Sequence, residues 1–201
     1  MSSRYEKIVL ATTNEGKRRE LLKLWQHPLL EVLTLQDFPN VHDVVEDGET
    51  FETNAIKKAR EVSLYTGLLA LADDSGLKVD ALNGEPGVYS ARYSGDHATS
   101  QSNIDKLLHE LKGLKEEERK ARFVCCMVLM YKEDILGVVR GSCEGYIIDK
   151  PRGSFGFGYD SVFFFPAMKK TFAEMTEQEK NEVSHRAQAL KKIDKIIRDL
   201  T

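Results

Sequence analysis

Leu68 to Ala72 is an unbroken apolar run, and the chain leaves it directly through Asp73, Asp74, Ser75 and Gly76. A short apolar run closed by a turn signal reads as a buried strand. The two carboxylates are therefore expected at its carboxyl end, where open α/β sheets bind their ligands. Adjacent like charges there cost free energy unless a cation neutralises them. This constrains the chain toward folds in which a strand delivers an acidic pair to a ligand site. Taken alone, Asp-Ser-Gly also suits an ordinary turn, and this segment by itself leaves both readings open.

The surrounding sequence supplies helices for such a strand. The β run Lys7 to Thr12 is followed by a helix beginning at Asn14, with Leu21, Leu22, Leu24 and Trp25 apolar. A second helix is expected after Thr50, carrying Phe51, Ala55, Ala59 and Val62 and ending before Gly67. Beyond the acidic pair comes a glycine-rich stretch and a helix around Gln101 to Leu111. Ala121 to Tyr131 and Ile135 to Ile148 then read as a long antiparallel hairpin joined at Lys132-Glu133-Asp134. Ser161 to Phe165 is another apolar strand. A final single helix is expected from Thr176, with Glu179 closing a capping box and an apolar stripe through Val183, Ala187, Leu190, Ile193 and Ile197. Strands that first alternate with helices and then pair as a hairpin predict an α/β protein with an elongated mixed β-sheet flanked by helices.

Composition narrows the class. With 201 residues, 41% of them hydrophobic, the chain can bury a substantial core, and no Pro/Ser-rich linker divides it, so a single domain over 1–201 is expected. The net charge of -3 attracts neither nucleic acid nor an acidic membrane, so a polyphosphate would need local cations or a metal. The mixed-sign run Lys115 to Arg122 suits a solvated helix end or loop. No basic-then-apolar leader pattern and no apolar run near the roughly twenty residues of a bilayer span are present, and a cytoplasmic protein is expected. Cys125, Cys126 and Cys143 lack metal-site spacing. The first two are adjacent in a strand, point to opposite faces, and are expected with Cys143 as small core residues.

Four further segments carry chemistry. Ala11-Thr12-Thr13-Asn14-Glu15-Gly16-Lys17 joins a strand to a helix N-terminus, where backbone N–H groups and the helix dipole favour an anion. It resembles a P-loop in outline, but Ala11 stands at the leading glycine and Arg18 follows the lysine, which argues against a Walker-type NTPase. An Asn-capped surface helix is the plainer alternative. Glu46, Asp47 and Glu49 add carboxylates before the second helix, or form a solvated turn. Gly156-Phe157-Gly158-Tyr159-Asp160 places aromatic rings between glycines, suited to stacking on a base or to a core turn. Lys180, His185 and Arg186 lie partly off the last apolar stripe and either reach a ligand or meet solvent.

In this order, Ala-Thr-Thr-Asn-Glu-Gly-Lys, Glu-Asp-Gly-Glu-Thr-Phe, Ala-Asp-Asp-Ser-Gly-Leu, Pro-Gly-Val-Tyr-Ser-Ala-Arg-Tyr, Phe-Gly-Tyr-Asp and Ser-His-Arg resemble the inosine/xanthosine triphosphate pyrophosphatases over nearly the whole chain. The resemblance implies Mg²⁺-dependent hydrolysis of ITP, dITP and XTP to the monophosphate and pyrophosphate. It also implies a two-lobed α/β fold with the active-site cleft between the lobes, and a homodimer. Thr12, Thr13, Asn14, Glu15, Gly16 and Lys17 would hold the triphosphate, with Thr13 standing where the family often has glycine. Glu46 and Asp74 would bind Mg²⁺, Asp74 also acting as general base, with Asp73 auxiliary. Ser75 would touch the substrate and Phe157 would stack on the base, with Gly158 and Tyr159 beside it. Asp160, His185 and Arg186 would read the polar edge of the base, and Lys180 would add a cation. A donor such as Arg186 accepts the 6-oxo group of hypoxanthine and rejects an amine.

Two alternatives keep the same residues. One is a pyrophosphatase of modified pyrimidine nucleotides on the same fold; the other is a nucleotide-binding module without hydrolysis. Phe157 with Ser184-His185-Arg186 favours the purine reading, and the presence of Glu46, Asp73 and Asp74 favours an enzyme.

Overall fold

The computed structural model describes residues 5–25 and 27–200. Among them the elements run β1 (Lys7–Leu10), α1 (Glu15–Leu24), β2 (Glu31–Thr34), α2 (Phe51–Thr66), β3 (Leu69–Val79) and α3 (Ser100–Glu110). They continue as β4 (Lys120–Tyr131), β5 (Asp134–Ile147), β6 (Phe163–Phe165), β7 (Lys170–Thr171), α4 (Glu177–Val183) and α5 (His185–Leu200), with short 3-10 turns between. The strands form one seven-stranded sheet in the order β2-β1-β3-β4-β5-β6-β7. β1 pairs in parallel with β2 and β3, while β6 is antiparallel to β5 and β7, so the sheet is mixed as expected.

The chain divides into two compact units. The first comprises Met1–Asp74, Cys125–Gly141 and Arg186–Thr201; the second comprises Ser75–Val124 and Ser142–His185.

Strand alternation builds two cores in the first unit. Leu69, Leu71, Cys125, Met127 and Leu129 meet Leu21 of α1 and Leu190, Ile193 and Ile197 of α5. The intervening residues Ala70, Ala72, Cys126, Val128 and Met130 meet Ala55, Ala59 and Val62 of α2. Successive side chains on a strand point to opposite faces, so neighbouring cysteines fall into different cores. All three cysteines are free and buried, as the sequence predicted. Alanines on both α2 and β3 leave little between helix and sheet, which brings the adjoining polar residues Asn54 and Lys58 of α2 to the strand. In the second unit, Leu77 and Val79 of β3, Ile104, Leu107 and Leu111 on the α3 side, and Phe123, Phe163 and Phe172 form the core.

Several boundaries differ from expectation. β3 does not stop at Asp73 but runs to Val79. Its parallel register with β1 nevertheless ends at the pair Leu10 and Leu71, capped by Ala11 N donating to Leu71 O at 2.8 Å. The acidic pair therefore stands beyond the carboxyl end of β1, though inside its own strand. The single terminal helix is two helices: Thr176 caps α4 through Glu179 N, and Ser184, with φ -66° and ψ 152°, interrupts it before α5. Val183 packs in the second unit's core and Leu190 in the first unit's, so one continuous-looking stripe serves two cores and hides the break. Of Ser161 to Phe165 only the last three residues are strand, and Lys120 to Arg122 of the mixed charge run already belong to β4. No helix among the described residues is long and apolar enough to cross a membrane.

Candidate active site

The first unit gathers its charges around β3. Asp73 and Asp74 are 1% and 4% exposed, far below what unpartnered carboxylates tolerate. Because they are neighbours on a strand, the pleat sends them to different partners. Asp73 Oδ2 lies 3.4 Å from Arg186 Nε and 3.9 Å from Cys125 Sγ. Asp74 Oδ2 accepts from Asn54 Nδ2 at 3.1 Å, on the α2 side. Lys17 reaches both, with Nζ 3.4 Å from Asp73 Oδ2 and 3.8 Å from Asp74 Oδ1.

Lys58 of α2 completes the arrangement. Its ammonium donates to Glu46 Oε1 at 2.6 Å and to Asp73 O at 2.7 Å, and lies 3.7 Å from Asp74 Oδ1. Burial pulls its pKa down, yet Asp73, Asp74 and Glu46 together outweigh that and hold it above the ordinary lysine value. Burial pushes the Asp74 carboxyl up from the ordinary aspartate value, against the pull of Lys17 and Lys58. A buried carboxylate with a raised pKa accepts a proton more readily than an exposed one. Asn54, fully buried, also accepts from Gly48 N at 2.7 Å, so one amide fixes the Glu46 to Glu49 segment and Asp74 together. Asp47 turns away to Lys57 at 2.8 Å.

The loop after β1 folds as a capped helix start. Asn14 Oδ1 accepts from Lys17 N at 3.0 Å, and Thr12 Oγ1 from Asn14 N at 3.3 Å. The side chain of Glu15 is bound to Arg18 at 2.7 Å, so this loop offers an anion backbone N–H groups and hydroxyls rather than a competing carboxylate. Thr12 is buried, whereas Thr13 and Asn14 are exposed and Gly16 is half-buried.

Arg186 is 2% exposed, with its guanidinium on Glu20 of α1 and on Asp73. Burial opposes its charge, but Asp73 and Glu20 hold its pKa above the ordinary arginine value. The alternative that this position meets solvent is thereby removed. Arg186 Nε faces Asp73 and Nη1 faces Glu20.

The second unit assembles the aromatic segment. Asp160 Oδ2 accepts from Phe157 N at 2.9 Å and pairs with Lys180 Nζ at 2.6 Å. Lys180 lies 5.4 Å from the centroids of both Phe157 and Phe172, within cation–π range. Phe157 and Gly158 are half-buried. Tyr159 is a core residue whose hydroxyl donates to Ser90 O at 2.9 Å. His185 is buried too, its ring stacked 4.8 Å from that of Phe123. Ser75 is half-buried on β3.

Among the described residues no three His, Cys, Asp or Glu side chains converge into a metal cluster. Magnesium does not require one, since it is commonly held by one or two carboxylates, with water and phosphate oxygens completing its shell. Glu46 and Asp74, drawn toward one ammonium, are a hard-oxygen pair of that kind. Four carboxylates, Glu20, Glu46, Asp73 and Asp74, face three cations, Lys17, Lys58 and Arg186, so with all ionised the cluster carries one net negative charge. A divalent cation would reverse that sign and favour a polyanion.

The Ham1 family model matches residues 8–196, spanning every element above except the outermost residues. The chain belongs to the Ham1 family. This Ham1-family chain is 48% identical over 194 residues to a dITP/XTP pyrophosphatase of Bacillus anthracis, covering 96% of each sequence. Its fold is similar to that of a HAM1 protein from Coxiella burnetii, with a TM-score of 0.88 and 42% identity over 96% of this chain and 99% of the other. The Ham1 protein of Staphylococcus aureus gives 0.86 and 36% identity over 98% of this chain and all of the other.

Sequence reasoning missed Lys58, Asn54 and Glu20 of this Ham1-family site. All three lie on helices at positions that read as solvated faces. The available signal was Asn54 and Lys58 at i and i+4, one helical face, beside the alanines that pack α2 on the sheet.

Proposed function

We propose that the chain hydrolyses dITP, ITP and XTP to the nucleoside monophosphate and pyrophosphate with Mg²⁺, removing non-standard purine nucleotides from the pool before they enter DNA or RNA. The observation that carries this reading is Asp74: a buried carboxylate of raised pKa, oriented by Asn54 and flanked by Lys17 and Lys58. The names and the high identity of the relatives support the substrate class.

Asp74 would orient a water molecule and take its proton as the water oxygen bonds to the α-phosphorus and the bridging oxygen departs with pyrophosphate. Lys17, at the start of α1, would lie against the phosphate oxygens that gain charge, with the N–H groups of the Thr12 to Lys17 loop beside it. Mg²⁺, held by Glu46 and Asp74, would supply charge neutralisation for the triphosphate. Lys58 would keep those two carboxylates apart from each other and facing one point. In the second unit, Phe157 would stack on the base and Lys180, held by Asp160, would donate to its 6-oxo group, with His185 behind them and Ser75 toward the substrate. Arg186 would position Asp73 and read the polar edge of the base.

The reading includes a homodimer, measurable by light scattering, and a cytoplasmic location, which three buried free thiols support. The deciding experiment is a product assay across dITP, ITP, XTP, GTP, ATP and a pyrimidine triphosphate, with and without Mg²⁺. Pyrophosphate from the first three, far faster than from the others and only with the metal, is the expected result. Orthophosphate as product, or turnover without metal, would contradict it.

A further inference from the structure

The loop from Gly153 to Gly158 carries a second aromatic ring, Phe155, that the site as described does not use. Its backbone is fixed at several points. Ser154 N and Phe155 N both donate to Ala173 O at 3.1 Å, and Phe157 N donates to Asp160 Oδ2 at 2.9 Å. Gly153 and Gly156 adopt φ of +84° and +80°, and a Cβ at either would collide with the Ala173 carbonyl or the Asp160 carboxylate. A backbone pinned in this way cannot easily fold its side chain inward.

Phe155 is consequently 66% exposed, whereas Phe123, Phe163 and Phe172 of the same unit are buried. Among the described residues no other ring stacks on it. A single exposed apolar side chain is by itself unremarkable. Phe155 stands on a fixed loop, two residues from the Phe157 ring that receives the Lys180 ammonium.

We propose that Phe155 is a specificity-determining residue that stacks on the purine base of the substrate as a second aromatic contact beside Phe157. The proposal rests on the reading of Phe157 as the base-stacking residue. Aromatic stacking scales with the π-face offered, so a bicyclic purine gains more from a second ring than a pyrimidine does. Phe155 would thus contribute to choosing purine over pyrimidine triphosphates without any hydrogen bond.

The test is steady-state kinetics of Phe155→Ala, Phe155→Trp and Phe157→Ala with ITP and UTP. Phe155→Ala is expected to raise KM for ITP about tenfold with kcat unchanged, and to lower the ITP-to-UTP ratio of kcat/KM. Phe155→Trp is expected to keep KM near the unmodified value, and its added fluorescence to be quenched by inosine monophosphate. An unchanged KM in Phe155→Ala beside a raised KM in Phe157→Ala overturns the proposal and leaves the base-site reading standing. Unchanged KM in both variants overturns both. A fall in kcat alone also overturns the proposal, because a stacking contact acts on binding. Phe155 being exposed, its two variants are expected to fold, and circular dichroism checks the fold of all three.

Discussion

Lys58 Nζ donates to the backbone carbonyl of Asp73 at 2.7 Å, so a helix side chain grips the strand itself at the point where the acidic pair begins. The same ammonium neutralises Glu46 and faces Asp74. Replacing it by methionine keeps much of the volume and deletes the charge. Lys58→Met is expected to reduce kcat/KM by at least tenfold, since two carboxylates then repel where a cation stood. Pyrophosphate release from ITP at several Mg²⁺ concentrations measures it; a variant with unaltered kinetics at every concentration would remove Lys58 from the site.

Asp74→Asn removes a charge and a proton acceptor while changing little volume. Turnover should fall by about two to four orders of magnitude with the melting temperature nearly retained. Activity close to that of the unmodified protein would place the essential carboxylate elsewhere.

Arg186 is fully buried between Glu20 and Asp73. Arg186→Leu takes the buried guanidinium from Glu20 and from Asp73, which keeps Lys17 at 3.4 Å, and removal of one partner from a buried ion pair costs about 3–5 kcal/mol. Urea unfolding should show a loss of that size. The double change Arg186→Leu with Glu20→Gln should recover part of it, and a double variant no more stable than the single would argue against the Glu20 contact.

His27 provides a pH signature in the fold. Burial lowers its pKa below the ordinary 6.5, with Asp194 pulling the other way and Arg198 adding to the fall. The folded state thus resists a proton that the unfolded chain accepts, so the contribution is complete above pH 6.5 and declines as pH drops below it toward the folded value. His27→Gln does not titrate there and should show a shallower loss of stability with falling pH. Parallel curves for the two proteins would show that His27 does not contribute.

The thiols offer a test of packing. Burial raises Cys126 to about 11 and Cys143 to about 12, and lifts Cys125 further still. Ellman's reagent at pH 8 should react with none of them in the native protein and with all of them in urea. Rapid native labelling would mean that the cores open readily.

Much of the architecture was readable because it is periodic. The hairpin of β4 and β5, the helix start after Thr50, the Thr176 cap, and the placement of Cys125 and Cys126 on opposite faces all follow from local pattern. The extension of β3 past Asp74 was not readable, because Asp-Asp-Ser-Gly carries turn chemistry and only pairing with other strands keeps it extended. The break at Ser184 was masked by helical spacing that continues across it. In the site, side chains adjacent to glycine or acidic motifs stood out, whereas Glu20, Asn54 and Lys58 matter through what lies across from them in space. A linear pattern does not record that.

The pleat of β3 makes neighbouring codons answer to different neighbourhoods. A change at Asp73 is felt by Lys17, Cys125 and Arg186, and one at Asp74 by Asn54, Lys17 and Lys58. Suppressor mutations of the two aspartates should therefore fall into largely separate sets sharing Lys17, and an insertion of one residue ahead of Asp73 should not be repairable by any point change in either set.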